Sequence, residues 1–140
     1  MTDLINTPAL LRTFLLANST LATAVSNRIW AAKLPDDEFA SMPRDAVLIM
    51  PSGAIAEIGV PVYTERSDIY CYGTTPYAAH EIYRKLFNAL HRAGLQSVDT
   101  DKRLMQAFLA GGPATRLEPE FGWAYVWSAW NAIWAENPMA

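Results

Sequence analysis

The fold is set by residues 62–94, which read VYTERSDIYCYGTTPYAAHEIYRKLFNALHRAG. Apolar and polar side chains alternate in the first part, which predicts a long strand ending at Gly73. Its two faces carry Ser67, Ile69 and Cys71 on one side, and Arg66, Asp68, Tyr70 and Tyr72 on the other. Thr75-Pro76 then supplies a capping residue and a proline at the first helical position. Apolar residues recur at helical spacing as far as Ala93, so a long amphipathic helix follows, with Gly94 as its end.

Two shorter helices are predicted upstream of this unit. Thr7-Pro8 repeats the capping signature, and an apolar helical face continues to about Ala17. Ser19 is the expected cap of a second helix over Thr20–Val25.

The region between these helices and residue 62 predicts two strands joined by a loop. Residues 28–31 are extended, and the apolar run 46–50 is a strand that Pro51 ends. Between them, residues 33–43 hold two prolines and an acidic run, which is typical of a loop. Pro51-Ser52-Gly53 predicts a turn, and residues 55–61 fit either a strand end or a protruding hairpin.

The C-terminal part predicts two strands. Residues 103–110 form the first, Gly111-Gly112-Pro113 bends the chain, and residues 115–118 are compatible with continued pairing. The last segment is ambiguous, because four tryptophans are spaced 4, 3 and 4 residues apart, as on a helix. Trp, Tyr and Val favour strands, so a strand is predicted and a helix stays the alternative. As a strand, the segment has two faces: one carries Trp123, Tyr125, Trp127 and Ile133, and the other carries Val126, Trp130 and Trp134. A bulge is one way to reconcile the spacing of the tryptophans with the alternation of a strand.

The element order indicates the α+β class, with a mostly antiparallel sheet and helices packed on one face. A chain of 140 residues corresponds to a single domain, 1–140. Both faces of the uncharged last strand need to be packed against other elements. The helix after Thr75 is expected to pack on one face, and a neighbouring chain is a candidate for the other face.

Composition excludes several classes of protein. Hydrophobic residues make up 51% and charged residues 18%, which is incompatible with disorder as the main state. The net charge is −3, so the chain has no excess of basic residues that would bind DNA phosphates independently of sequence. The longest uncharged runs, 13–27 and 121–135, are shorter than the roughly 20 residues that cross a bilayer, and the N-terminal segment lacks a basic region typical of a secretory signal. One cysteine, Cys71, rules out an internal disulfide and fits a reducing cytosol.

No catalytic, metal or cofactor site is predicted. His80 and His91 are eleven residues apart on one helix, too far to share a metal ion. Cys71 lies in the apolar phase of a strand, where a buried thiol is expected. Asp36-Asp37-Glu38 is interpreted as a solvated acidic loop, with a cation site or an electrostatic docking patch as alternatives. The tryptophans are interpreted mainly as core, with contact between subunits or a small-ligand site as alternatives.

Several segments, taken in order, match one known family. They are the helix pair 10–25, the step Val25-Ser-Asn-Arg-Ile-Trp30, the proline-bearing loop 34–43, the strand 46–50, the strand Arg66-Ser-Asp-Ile-Tyr-Cys-Tyr-Gly73, the helix 75–90, and the closing strand pair 112–136. In this order and spacing the chain resembles the tail terminator, or tail completion, proteins of long-tailed bacteriophages. The four tryptophans of the last strand depart from the common pattern.

The resemblance implies a structural virion protein and no enzyme. It implies a homo-hexameric ring that caps the tail tube, ends its polymerisation and joins the tail to the head-side connector, with DNA passing through the lumen. Spheres of about 37 Å diameter leave a lumen of roughly 37 Å in a ring of six and about 15 Å in a ring of four. Only the larger lumen passes duplex DNA, which is about 20 Å wide. Another neck component, such as a head-completion or connector-stopper protein, and a small cytosolic ligand-binding domain or enzyme are the alternatives.

The resemblance implies contacts with further copies, the tail tube protein and the connector. The candidate contact residues are Asp36, Asp37 and Glu38 in the acidic loop, Ile55, Glu57, Ile58 and Val60 in the apolar segment, and Trp123 and Trp127 between subunits. The expected location is the virion, at the head-proximal end of the tail.

Overall fold

A computed structural model describes residues 7–56, 62–91, 96–98 and 102–136. The helices are α1 (Thr7–Leu16), α2 (Ser19–Ala24), α3 (Asp36–Phe39) and α4 (Pro76–His91). The strands are β1 (Ile29–Ala31), β2 (Ala46–Ala56), β3 (Val62–Gly73), β4 (Gln96–Ser97), β5 (Lys102–Leu117) and β6 (Ala124–Glu136). The predicted end of the long helix, Arg92 to Gly94, lies outside the described residues.

The described strands form one sheet in the order β1-β2-β3-β6-β5-β4. The short β1 pairs with β2 in parallel, and every other neighbouring pair is antiparallel. Helices α1, α2 and α4 cover one face of this sheet. The predicted class, α+β with a mostly antiparallel sheet and helices on one face, is therefore confirmed.

The core lies between the sheet and these three helices. The helices contribute leucines that are fully buried, among them Leu15, Leu21, Leu86 and Leu90. The sheet contributes Val47, Ile49, Ile69, Cys71, Val126, Trp130 and Trp134 from its covered face. The opposite face has no long helix over it among the described residues and is called the open face below.

Helix α4 begins where the sequence predicts. The backbone N–H of Ala78 donates to the Thr75 hydroxyl at 3.1 Å, which caps the helix. The buried positions Ala79, Ile82, Tyr83, Leu86, Ala89 and Leu90 recur at helical spacing and face the sheet.

The tryptophan-rich segment is a strand, as predicted. It pairs with β3 without interruption, from Val62 opposite Ala135 to Gly73 opposite Ala124. Trp130 and Trp134 are buried on the core face, whereas Trp127 lies on the open face. The register of β6 against β3 needs no bulge. The register shifts occur in the pairing of β5 with β6, and β5 continues through Gly111-Gly112-Pro113 as far as Leu117.

The prediction that Pro51 ends a strand and begins a turn is wrong, because β2 runs on to Ala56. A register shift between Pro51 and Gly53 marks a bulge, and the Ser52 hydroxyl donates to the carbonyl of Arg66 at 3.0 Å. On the other side of β2, the described part of β1 pairs only as far as Ile49. Pro51 therefore lies at a sheet edge, where a missing N–H removes no bond to that side.

Two local predictions near the N-terminal half are also corrected. Asn18, not Ser19, caps α2: its side chain accepts from the N–H of Leu21 at 3.1 Å, and its backbone is extended, as a cap requires. The acidic run Asp36-Asp37-Glu38 was expected in a loop and instead forms the single turn of α3. Three carboxylates in a first turn are favourable because the N-terminus of a helix carries a partial positive charge.

None of the helices in the described ranges is long and apolar enough to cross a membrane.

Candidate assembly surfaces

The open face is lined by aromatic side chains from its two central strands. Tyr70 on β3 meets Tyr125 on β6 with ring centroids 5.6 Å apart, and Tyr72 meets the same ring at 5.9 Å. All three are half-buried, so each presents part of its ring to solvent. Large amphipathic rings of this kind are enriched at protein–protein interfaces.

Trp127 extends this aromatic surface towards β5. A Cβ added at Gly111 would lie 3.3 Å from the Cη2 atom of Trp127. The indole therefore rests against β5 at a position that carries no side chain. At Gly112 the backbone adopts a positive φ of 81°, and an added Cβ would lie 2.7 Å from the Trp127 carbonyl oxygen. The ring borders a pocket of about 230 Å³, which Tyr70, Arg116 and Tyr125 also line. The pocket is smaller than the usual 300–1,000 Å³ of small-molecule sites.

Two phenols of the open face, those of Tyr70 and Tyr72, stay neutral at physiological pH. Burial raises the pKa of Tyr72 to about 12, with further contributions from nearby groups. Burial also raises the pKa of Tyr70, and the carboxylate of Asp68 adds to that shift. A phenol that stays protonated at neutral pH cannot accept a proton as a general base, so these two rings are suited to packing and hydrogen bonding.

Asp68 lies in the same surface, next to Tyr70 along the face. Its Oδ1 atom is buried and has no hydrogen-bond partner among the described residues. A buried carboxylate oxygen without a donor is unfavourable in the isolated chain, because it has lost water and gained nothing in return.

A second aromatic cluster lies where the open face meets α3. Phe39, Phe121 and Trp123 are in mutual contact, with ring centroids 4.9, 5.0 and 5.1 Å apart. Phe39 is 43% exposed and Phe121 is 47% exposed, whereas Trp123 is 9% exposed. Tyr72 connects this cluster to the open-face tyrosines, since its ring lies 6.3 Å from Trp123.

The acidic residues of α3 divide into different environments. Asp36 lies 3.6 Å from the Lys33 ammonium, and both side chains are exposed. Glu38 forms an ion pair with Arg44, and both of these side chains are about two-thirds buried. Asp37 is exposed. Exposed ion pairs add little stability, so the Lys33–Asp36 pair contributes little to holding α3 in place.

A groove runs between the segment that leads into α3 and the open-face side of β2. Its volume is about 620 Å³. The lining residues are Ala32, Lys33, Leu34, Asp36, Phe39, Leu48 and Met50. Apolar side chains form most of this lining, and the Lys33–Asp36 pair lies at its rim.

Of the segment predicted at residues 55–61 as a strand end or a protruding hairpin, the structure describes Ile55 and Ala56, which end β2. Ile55 pairs with Thr64, and Ala56 pairs with Tyr63, so the two strands stay together to the end of the described part. Glu57, Ile58 and Val60 lie outside the described residues.

The structure brings some of the predicted contact residues together and separates others. Phe39, which ends α3, connects the acidic helix with Trp123. Trp127 lies farther along the same face, and Ile55 is near the opposite end of β2. Sequence reasoning missed Phe39, Leu48 and Met50 as parts of one groove. The alternation of β2 could have identified Leu48 and Met50, because residues two apart share a face.

The described residues contain no group of three or more His, Cys, Asp or Glu side chains placed to hold a metal ion. Cys71 is fully buried, and burial raises the pKa of its thiol, so it is not a ready nucleophile.

Among solved structures, a chain of the native gene transfer agent virion particle has the same fold. It is 16% identical, the match covers 92% of this chain and 93% of that chain, and the TM-score is 0.68. The bacteriophage SPP1 gp17 protein aligns over 94% of this chain and 91% of its own, with 15% identity and a TM-score of 0.47. No protein-family model and no curated protein matches the sequence. The likeness to the virion chain shows that the two chains share a fold.

Proposed function

We propose that the protein is a structural virion component that forms a homo-hexameric ring at the head-proximal end of a phage-type tail. The ring caps the tail tube, ends its polymerisation and joins the tail to the head-side connector, while DNA passes through the lumen. The observation that carries this proposal is the fold shared with a gene transfer agent virion chain over more than nine tenths of both chains.

The surfaces of the protein support an assembly role. The open face presents half-buried tyrosines and Trp127, and the cluster beside it exposes Phe39 and Phe121. A contiguous aromatic surface of this kind is typical of a contact between proteins. The net charge of −3 suits a DNA conduit, because a basic lumen would retain phosphates.

A structural role also accounts for the chemistry of the ionisable groups. The thiol of Cys71 and the phenols of Tyr70, Tyr72 and Tyr83 have pKa values raised by burial. Such groups stay protonated at neutral pH and pack as neutral side chains.

Two measurements test the proposal. Native mass spectrometry of the full chain at rising concentration, alone and with tail tubes, is expected to show a six-copy species. Electron microscopy of tails with antibody labelling is expected to place the protein at the head-proximal tube end. A protein missing from that end of assembled tails would overturn the proposal. Label on the head side of the connector would instead identify another neck component.

A further inference from the structure

The open face carries an anion and a cation that the single chain leaves unpaired. Within the part of the chain that the structure describes, neither Asp68 nor Arg116 has an ion-pair partner. Arg66, two residues before Asp68 on the same face, is exposed and forms no ion pair with it. Asp68 is half-buried and Arg116 is exposed, so a partner on the open side can reach both. An occupant of this face is therefore favoured when it offers a cation to Asp68 and an anion to Arg116.

The two charges lie symmetrically on either side of Trp127. On β3, Asp68 is opposite Ala129, which is two residues after Trp127. On β5, Arg116 is opposite Tyr125, which is two residues before Trp127. Strand β6 lies between β3 and β5, with strands about 4.8 Å apart and a rise of about 3.4 Å per residue. The Cα atoms of the two charged residues are therefore roughly 17 Å apart, with Trp127 midway between them.

A face with this arrangement is complementary to itself. A two-fold axis parallel to the sheet, above Trp127 and perpendicular to the line between the charges, exchanges the positions of Asp68 and Arg116. In a second copy placed by this axis, Arg116 lies over Asp68 of the first copy, and Asp68 lies over Arg116. Facing sheets pack about 10 Å apart, a gap that side chains from both sheets fill. Both charges are thus paired at once, and a two-fold contact of this kind ends at two copies.

The centre of the same contact is aromatic. Tyr70, Tyr125 and Trp127 are half-buried and line the pocket of about 230 Å³ together with Arg116. They lie between the two charges, so the two-fold axis brings them against the same rings of the second copy. The buried Oδ1 atom of Asp68 has no donor among the described residues, and the guanidinium group of the second copy supplies one.

We infer that two copies of the free protein pair through their open faces about a two-fold axis at Trp127, with Asp68 of each copy bound to Arg116 of the other. This pairing goes beyond the proposed ring and does not rest on it. Because it covers the open face, it competes with every ring contact that this face makes. Paired copies must therefore separate before such a contact forms.

Mixing two charge variants tests the two-fold arrangement. Arg116→Asp leaves an anion at both positions, and Asp68→Arg leaves a cation at both. Each variant alone is expected to raise the dimer dissociation constant roughly tenfold or more, because like charges then face each other. An equimolar mixture is expected to restore dimers, since each charge again meets its opposite. Sedimentation velocity of the full chain, below the concentration at which rings form, measures both effects. Arg84→Asp, at an exposed side chain on α4, is the matched control and is expected to leave pairing unchanged.

A second pair of measurements covers the case in which Asp68→Arg does not fold. Asp68→Asn keeps the shape of the side chain, and with unchanged circular dichroism it is expected to weaken pairing several-fold. Ala114→Cys places a thiol opposite Trp127, close to the axis, whereas Cys71 is fully buried. A short bis-maleimide is expected to link two copies of Ala114→Cys and to give nothing larger than the dimer. Arg84→Cys is the control and is expected to stay monomeric after the same treatment.

The outcomes separate this inference from the proposed function. A wild type that is monomeric below the concentration of ring formation would overturn the pairing and leave the ring intact. Folded charge variants whose mixture does not restore dimers, or an Ala114→Cys variant that cross-links no more than the control, would do the same. Dimers that behave as expected, in a protein that is missing from tails, would support the pairing and overturn the proposed function.

Discussion

Glu65 is a carboxyl group on the core face of β3. It is 2% exposed, and the Ser67 hydroxyl donates to its Oε1 atom at 2.7 Å. Its neighbours across the sheet are Ala54 and Ala132, which offer neither charge nor side-chain hydrogen bonds. Burial therefore raises the pKa of Glu65, and the bond from Ser67 opposes that shift only in part.

A raised pKa in the folded state makes stability depend on pH. The folded chain binds the proton of Glu65 more tightly than the unfolded chain does. This proton binding contributes fully to the free energy of unfolding below the pKa that Glu65 has in the unfolded chain, and the contribution is lost as the pH rises through the pKa that Glu65 has in the folded chain. Glu65→Gln removes this titration. We expect the wild type to lose melting temperature relative to Glu65→Gln as the pH rises from roughly 4, near the ordinary glutamate pKa, to 7.

The matched control is Glu120→Gln, the same chemical change at an exposed side chain. Its difference from the wild type is expected to stay constant over the same pH range, as measured by differential scanning calorimetry. A constant difference for Glu65→Gln as well would mean that Glu65 is solvated in the folded chain.

Among the elements, the contact of α4 with β3 is set by Gly73 at the end of the strand. A Cβ added there would lie 2.3 Å from the backbone nitrogen of Ala79 and 2.8 Å from the carbonyl carbon of Ala78. These are backbone atoms in the first turn of α4, which cannot rotate away as a side chain can. The absence of a side chain at Gly73 thus allows the helix to approach the sheet.

We expect Gly73→Ala to lower the free energy of unfolding by about 1–3 kcal/mol, because the helix or the strand must shift to admit the methyl group. Chemical denaturation followed by far-UV circular dichroism measures this loss. Thr74→Ala is the control, since Thr74 is exposed and its change is expected to stay within about 0.5 kcal/mol. A Gly73→Ala variant as stable as that control would show that α4 can move without loss.

Most elements could be predicted from the sequence because their patterns are local. The cap at Thr75 and the apolar spacing after it depend on residues a few positions apart, and the structure has both. The path of β2 through Pro51 could not be predicted in this way. It depends on where β1 ends and on Ser52 reaching the carbonyl of Arg66, fourteen residues farther along the chain.

For the molecule as a whole, the candidate surfaces were predictable only in part. The acidic helix and Trp123 are 84 positions or more apart in sequence, and Phe39 joins them in space. The groove combines Leu34 with Met50, and its shape depends on the turn of α3, which the sequence pattern assigned to a loop. Ile55, Glu57, Ile58 and Val60 stay a prediction as contact residues.

The division of the sheet into a core face and an open face gives the last prediction. Trp130 and Trp127 are three residues apart on β6 and lie on opposite faces. Trp130 is 1% exposed, its N–H donates to the Ser128 hydroxyl at 2.9 Å, and it packs against Phe87. Trp130→Ala is therefore expected to lower the free energy of unfolding by about 3–5 kcal/mol.

Trp127→Ala is the matched variant on the open face. Its ring is half-buried against Gly111, so we expect a loss of roughly 1–2 kcal/mol in the isolated chain. Under the proposed function the same variant weakens ring formation, because an aromatic anchor truncated in an interface removes more binding energy than most other contacts. Urea denaturation followed by circular dichroism measures the first effect, and native mass spectrometry measures the second. Equal losses of stability in the two variants would mean that both faces of β6 belong to the core of the single chain, and that the open face needs no partner.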